Sequence, residues 1–544
     1  MPPIESHLWW QRGVIYEIYP RSFADADGDG EGDLAGIRSR IDYLTWLGID
    51  AIWITPFYPS PMVDGGYDVA DYCDVDPRFG TLADFDALVA DVHARGLKIL
   101  CDFVPNHTSD QHPWFVESRS ARDNPKRDWY IWRDPAPDGG PPNNWRSEFG
   151  GSAWQYDEAT GQYYHHAFAA AQPDLNWRNP EVRRAMQDVL RFWLDRGVDG
   201  FRVDVMWHVV KDAELRDNPV NPDFVEGRDP DYRRVVPAYS ADQPEVHDVV
   251  AEMRAVIDEY DDRVLIGEIY LPVDRLVAYY GRPDRPGAHM PFNFNLIGAP
   301  WDARELELLI DHYEGALPDD AWPNWVLGNH DQPRIATRLG QAQARVAAAL
   351  LLTLRGTPTL YYGDELGLEN VDIPRDLIDD VRELNEPGHG FGRDPQRTPM
   401  PWESTPPGGG FTTGQPWLPL GEANLARSVA AQRDDPRSML TLYRRLLALR
   451  RSEPALAVGA YRPVPATGSV LAYRRSHDDR EMLVVLNLAA SPQRQELPDE
   501  FRGGRIVLSA TLGVEDQPVD GELEVPGNEA FVIAPAADER AGSA

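Results

Sequence analysis

Asp204 and Glu268 are the residues of this chain best suited to covalent and proton-transfer chemistry. Each ends a short apolar run, Gly200-Phe-Arg-Val-Asp204 and Arg263-Val-Leu-Ile-Gly-Glu268. Two more runs end the same way, Leu97-Lys-Ile-Leu-Cys-Asp102 and Asn324-Trp-Val-Leu-Gly-Asn-His-Asp331. Such runs, bounded by turn signals, read as buried strands, and a polar residue at the C-terminal end of a barrel strand sits where a (β/α)8 enzyme places its chemistry. Two carboxyl groups at one site suit cleavage of an acetal: one protonates the leaving oxygen, the other meets the developing cation. Arg202 lies two residues before Asp204, so in a strand both project to one face. A cation there is expected to keep Asp204 ionised, as a nucleophile requires. Glu268 follows Gly267 and apolar residues, a setting expected to raise its pKa and keep it protonated as the acid.

The elements needed to hold these groups alternate as strand and helix, which implies a parallel sheet. Val14–Tyr19 and Ile49–Thr55 read as the first two strands, and Leu34–Leu47 as an amphipathic helix. Thr81–Arg95 reads as a helix with Thr81 as N-cap and Asp84 completing a weak capping box. From His107 to Pro173 the periodicity fails; a structureless loop of that length is implausible inside a barrel, so an inserted subdomain is expected. Pro180 is a good first residue for the helix 181–196. Ala288–Phe294 is the candidate sixth strand, Thr357–Tyr362 the eighth, with the helix Ala342–Leu354 between the seventh and eighth and the helix Ser438–Arg451 after the eighth. After Glu453 short alternating segments predict a separate antiparallel β domain, and Ala536–Ala544 reads as a frayed tail. The expected organisation is a (β/α)8 barrel from residues 1–106 and 174–453, an inserted subdomain at 107–173 and a β-sandwich domain at 454–544.

With 544 residues the chain needs more than one core. The net charge of −35 argues against nucleic acid or an anionic membrane as partner and fits a neutral ligand. Only Lys98, Lys126 and Lys211 are lysines, which reads as compositional bias. Two cysteines, no signal-peptide pattern in Met1–Trp10 and no apolar run long enough for a bilayer make the cytoplasm the expected location. The loop Asp25-Ala-Asp27-Gly-Asp29-Gly-Glu31-Gly-Asp33 alternates carboxylates with small residues and suits a hard cation. It is not an EF-hand loop, because Gly36 stands at the twelfth position.

Asp102-Phe-Val-Pro-Asn106-His107, Gly200–Asp204, Gly267-Glu268 and Asn329-His330-Asp331 together resemble, in order and spacing, the four motif regions of the α-amylase family of glycoside hydrolases (family 13). Gln172-Pro-Asp-Leu-Asn176 resembles the extra motif of its α-glucosidase and oligo-1,6-glucosidase branch. The resemblance implies Asp204 as nucleophile, Glu268 as acid and base, and Asp331 as transition-state stabiliser. It implies sugar contacts from His107 and His330, and Arg202 orienting the nucleophile. Asp102 and Asn106 are supporting residues on the same basis. In Asp64-Gly-Gly-Tyr67-Asp68, Asp64 is expected to grip hydroxyls and Tyr67 to stack on the ring. Phe149 is expected to cap the pocket, and Arg393 to bind sugar, with Arg397 as its rival. The Asp-rich loop resembles the family's structural Ca²⁺ or Mg²⁺ site, with Asp25, Asp27, Asp29 and Asp33 as side-chain ligands and Glu31 through its carbonyl.

The activity implied is release of glucose from short α-1,4- and α-1,6-linked oligosaccharides. Val205 after the nucleophile points to α-1,6 bonds by the same resemblance, and Trp207 and His208 make the +1 side unusual. A transglycosylase or isomerase of the same family, such as trehalose synthase or a sucrose-active enzyme, is the main alternative. A catalytically dead binding barrel and an endo-acting α-amylase are weaker ones. The expected partner is a small saccharide, with the protein a monomer or homodimer.

Overall fold

The computed structural model describes residues 7–536; most of the expected tail, and Met1–Ser6 of the N-terminal segment, lie outside them. Eight parallel strands close into a barrel: β1 (Ile15–Ile18), β2 (Ala51–Ile54), β3 (Lys98–Phe103), β4 (Gly200–Val203), β5 (Val264–Ile269), β6 (Met290–Asn293), β7 (Asn324–Val326) and β8 (Thr357–Tyr361). They neighbour one another in chain order, and β8 pairs with β1 to close the ring. Register aligns Asp102 with Arg202, and Val203 with Gly267. The next residues, Asp204 and Glu268, therefore lie at one height, at the C-terminal ends of adjacent strands.

Apart from Lys98 at the start of β3, the strands are buried throughout and rich in Ile, Val, Leu and aromatic residues, as two covered faces require. Local chemistry fixes several helix ends. Thr81 and Asp84 form a full reciprocal capping box at the start of Leu82–Ala94, with Thr81 N donating to Asp84 Oδ2 at 2.9 Å. Asn179 caps Pro180–Asp195, and Ser438 caps Met439–Ser452. The helix expected at Leu34–Leu47 is two, Leu34–Ser39 and Ile41–Leu47, broken at Arg40. The helix expected at Ala342–Leu354 begins earlier, at Ile335, and bends at Gly340, whose φ of +76° interrupts it.

The stretch 107–173 carries the helix Pro113–Ser120 and a three-stranded antiparallel sheet of Trp132–Arg133, Gln162–His165 and Trp154–Asp157. It is built on aromatic packing, with Phe115 stacked on Trp132 and edge-on to Tyr164. Between Asp204 and the helix Val246–Ile257 runs a second long excursion, with only single helical turns, that the sequence periodicity does not reveal. The last strands form a five-stranded and a two-stranded antiparallel sheet. Val470, Val485, Phe501 and Phe531 fill the space between them. The outer face of the larger sheet packs on Ile335–Thr353, where the Tyr473 and Thr353 hydroxyls share a 2.5 Å hydrogen bond. Among the described residues no helix is long and apolar enough to cross a membrane.

Candidate active site

A cavity of about 1290 Å³ opens at the C-terminal end of the barrel. Asp64, Tyr67, His107, Phe149, Asp204, Val205, Glu268, Asp331 and Arg393 all line it. Arg202 and His330 do not. They stand behind the wall, 1% and 0% exposed.

Arg202 organises the floor. Its Nη1 donates to Asp204 Oδ1 at 2.8 Å and to Asp102 Oδ1 at 2.9 Å, while its Nη2 pairs with Glu268 Oε2 at 2.8 Å. The sequence-based expectation was one cation holding one nucleophile ionised; here a single guanidinium is divided among three carboxylates. Burial pushes Asp204 well above the ordinary carboxylate range; Arg202 pulls it back, and Glu268, Asp102 and Asp331 add to the rise. Burial also raises Glu268, against Arg202, although its surroundings are more polar than Gly267 and its apolar neighbours suggest. The two carboxyls share the Arg202 guanidinium, and the charge on Glu268 raises Asp204. Such a pair titrates as a unit, and the physical reading is one proton shared between them. Asp102, pushed up to about 6 by burial against the pull of Arg202, accepts the Tyr67 hydroxyl at 2.9 Å.

Val205 sits in the left-handed region, φ +35°, which is strained for a β-branched residue. The turn aims its N–H at Glu268 Oε2, 2.8 Å away. Val205 thus helps hold the acid as well as lining the cavity. Asp331 is not at a strand end: β7 stops at Val326, and the acid lies on the loop beyond. Burial works against its charge, but His330, Arg393 and Arg397 outweigh it and hold Asp331 well below the carboxylate range.

The two rival arginines divide the work. Arg393 Nη2 donates to Asp64 Oδ1 at 2.6 Å, and Arg397 Nη2 to Asp331 Oδ1 at 2.7 Å. Only Arg393 lines the cavity, with Phe149 4.8 Å from its guanidinium. Gln172 Nε2 donates to Asp64 Oδ2 at 2.9 Å and lies 3.1 Å from His107 Nε2, so the Gln172–Asn176 motif reaches the site itself. Tyr67 stacks on His330 with centroids 5.4 Å apart. The His330 Nε2 atom is buried with no hydrogen-bond partner, 3.5 Å from Asp331 Oδ1.

Two supporting acids escape the motif reading. Glu17 on β1 contacts His330 Nδ1 at 2.5 Å. A lone charge inside Val14–Tyr19 is the signal that could have found it. Asp380 accepts from Arg393 N at 2.7 Å and Nε at 2.9 Å, and nothing local in the sequence marks it.

The Asp-rich loop is narrower as a donor set than expected. Carboxylate oxygens of Asp25, Asp27 and Asp29 all lie within 4.8 Å of one another, which fits a hard cation with oxygen ligands. Asp33 is spent otherwise: it caps the helix Leu34–Ser39, accepting from Gly36 N at 2.6 Å and Ala26 N at 2.9 Å. The Glu31 carboxylate pairs with Arg21 and Arg78.

Comparison with known proteins agrees with this geometry. Residues 17–459 match the family model described as alpha amylase, catalytic domain. A "probable alpha-glucosidase" of Rhizobium meliloti (strain 1021) is 43% identical, over 96% of this chain and 96% of its own length. An "oligo-1,6-glucosidase" of Heyndrickxia coagulans is 39% identical, over 90% of this chain and 94% of its own. The crystal structure of an alpha-glucosyl transfer enzyme superposes with a TM-score of 0.92 at 41% identity, covering 97% of this chain and all of that one. The chain belongs to the alpha-amylase family of glycoside hydrolases.

Proposed function

We propose that the chain is a retaining α-glucosidase that releases glucose from the non-reducing end of short α-1,4- and α-1,6-linked gluco-oligosaccharides. The observation that carries this is that Asp204 and Glu268 share one guanidinium, each with a carboxylate oxygen 2.8 Å from Arg202. An inverting enzyme keeps its two carboxyls about 6.5–9.5 Å apart to admit water, whereas a nucleophile and acid that work by double displacement lie closer. Glu268 donates its proton to the glycosidic oxygen as Asp204 attacks the anomeric carbon, leaving a covalent glucosyl–Asp204 ester. Glu268 then takes a proton from water, which attacks the same carbon and frees Asp204.

Asp64, Arg393 and Asp331 bind the hydroxyls of the terminal glucose, joined by His107, while His330, behind the wall, orients Asp331. Tyr67 stacks on the ring and Phe149 caps it. The Asp64–Arg393 ion pair in the cavity wall supports action at a chain end. Proton NMR of the first-formed sugar tests the mechanism: α-glucose is expected, and an initial β-anomer refutes Asp204 as nucleophile. Turnover of isomaltose alongside maltose tests the linkage reading, which fails if isomaltose is untouched.

Transfer of glucose to another hydroxyl is the second reading, favoured by the similarity to an alpha-glucosyl transfer enzyme. Water and a sugar hydroxyl compete for one intermediate, so the products from maltose and sucrose decide between them. Asp25, Asp27 and Asp29 would hold a structural Ca²⁺, or Mg²⁺, which supplies charge to fix the first loop. Chelation is expected to lower Tm by several degrees and leave kcat at 25 °C unchanged; an unchanged Tm removes the metal.

A further inference from the structure

Four arginines line the cavity: Arg228, Arg233, Arg382 and Arg393. Arg393 is held by Asp64 and Asp380, and Arg228 pairs with Asp229 at 2.7 Å. Among the described residues Arg233 and Arg382 are in no ion pair, in a chain of net charge −35. The Arg382 Nε is buried without a hydrogen-bond partner. The two come from different loops, one following β4 and one following β8, yet both draw on the Glu148 carboxyl. Both line the same cavity as Glu148. Arg233 lies against the Tyr232 hydroxyl, and Arg382 is 5.4 Å from the Phe391 ring. Val236 and Leu271 supply apolar wall to the same cavity. Apart from Asp64, Asp204, Glu268 and Asp331, the acids that line the cavity are Glu148, Asp229 and Glu305. Asp229 is committed to Arg228, and neither Glu148 nor Glu305 comes within ion-pair distance of Arg233 or Arg382.

A neutral oligosaccharide gives two unpaired guanidinium groups nothing to neutralise. A carboxylate is the group their donor geometry fits best, and the aromatic and aliphatic wall suits a flat ring. We propose that Arg233 and Arg382 form an anion subsite on the aglycone side, so that the enzyme favours α-glucosides whose leaving group, or acceptor, carries a carboxylate on an apolar frame. This rests on the reading of the cavity as a glucoside site.

The test compares 4-carboxyphenyl with 4-carbamoylphenyl α-D-glucopyranoside, which match in shape and differ in charge. In the wild-type protein at low salt, KM for the carboxylate is expected to be roughly tenfold lower, as for a charge-assisted hydrogen bond. The ratio shrinks as salt is added. In the Arg233→Gln/Arg382→Gln double variant it falls toward one. The readout is a ratio between probes, so a general loss of activity cancels. Equal KM values in the wild type, or a ratio that survives the double substitution, overturn the subsite. If neither these nor 4-nitrophenyl α-D-glucopyranoside is cleaved, the glucosidase reading has failed. The same two probes are then titrated calorimetrically: tighter binding of the carboxylate supports the subsite, and equal or absent binding overturns it.

Discussion

At the floor of the cavity one guanidinium serves three carboxylates, and Arg393 and Arg397 are each clamped to acids. On the loops that carry Arg233 and Arg382, here the rim, Val220 is 76% and Leu384 60% exposed, and the two arginines stand without an ion pair among the described residues. The floor hangs on strand ends and the turns beyond them. The rim hangs on the long excursion after β4 and the irregular chain after β8. Buried charges persist only when mutually satisfied, so the floor has little freedom to vary. The rim is solvated and weakly constrained. On the reading proposed above, the reaction belongs to the floor and the choice of leaving group to the rim.

The sharpest way to break this contrast is Asp204→Asn. Turnover is expected to fall by about 10⁴-fold or more, while Arg202 keeps Asp102 and Glu268 as partners and the fold survives; a product assay and a thermal melt check both. Asp380→Asn comes next. It strips Arg393 of one carboxylate partner, and breaking a buried pair costs about 3 kcal/mol, reduced here because Asp64 remains. A fall in kcat/KM of roughly tenfold is expected on maltose; an unchanged value would mean that Asp380 does not position Arg393 for the sugar.

At the rim, Glu148 gives a pH test. Burial pushes its carboxyl up to about 7, against the pull of Arg382 and Arg233. A carboxyl raised on folding contributes stability that is present below its unfolded pKa of about 4.3 and lost as pH rises through 7. Glu148→Gln should therefore melt above the wild type at pH 8 and lose that advantage at pH 5. A difference independent of pH would contradict the raised value. Leu384→Ser should do least, within about 0.5 kcal/mol of wild-type stability, with maltose kinetics intact; a large loss would show that the rim is packed as tightly as the floor.

Much of the floor was legible because it lies on short apolar runs, where strand geometry fixes the face and the end at which each side chain projects. Asp102, Arg202, Asp204 and Glu268 are such residues. Asp331 was found by its motif but placed wrongly, because β7 ends five residues before it. Arg393 and Arg397 could not be separated in sequence, since both sit in one irregular stretch and their partners Asp64 and Asp331 lie far away along the chain. Asp33 looked like its neighbours in composition, yet the start of a helix claimed its carboxylate.

The sequence by itself determined the order of most strands and helices, because period-two and period-3.6 patterns and local caps act over a few residues, and its motifs resembled a known family closely enough to single out Asp204, Glu268 and Asp331. Tertiary structure alone decided how charge is shared. Barrel closure brings Asp102, Asp204 and Glu268 around one arginine, so that none has a private counter-ion. It also leaves Arg233 and Arg382, from loops far apart in the chain, facing one cavity with no acid paired to either. Coulombic interactions depend on distance in space and on desolvation, and neither is written in the spacing of residues along the chain.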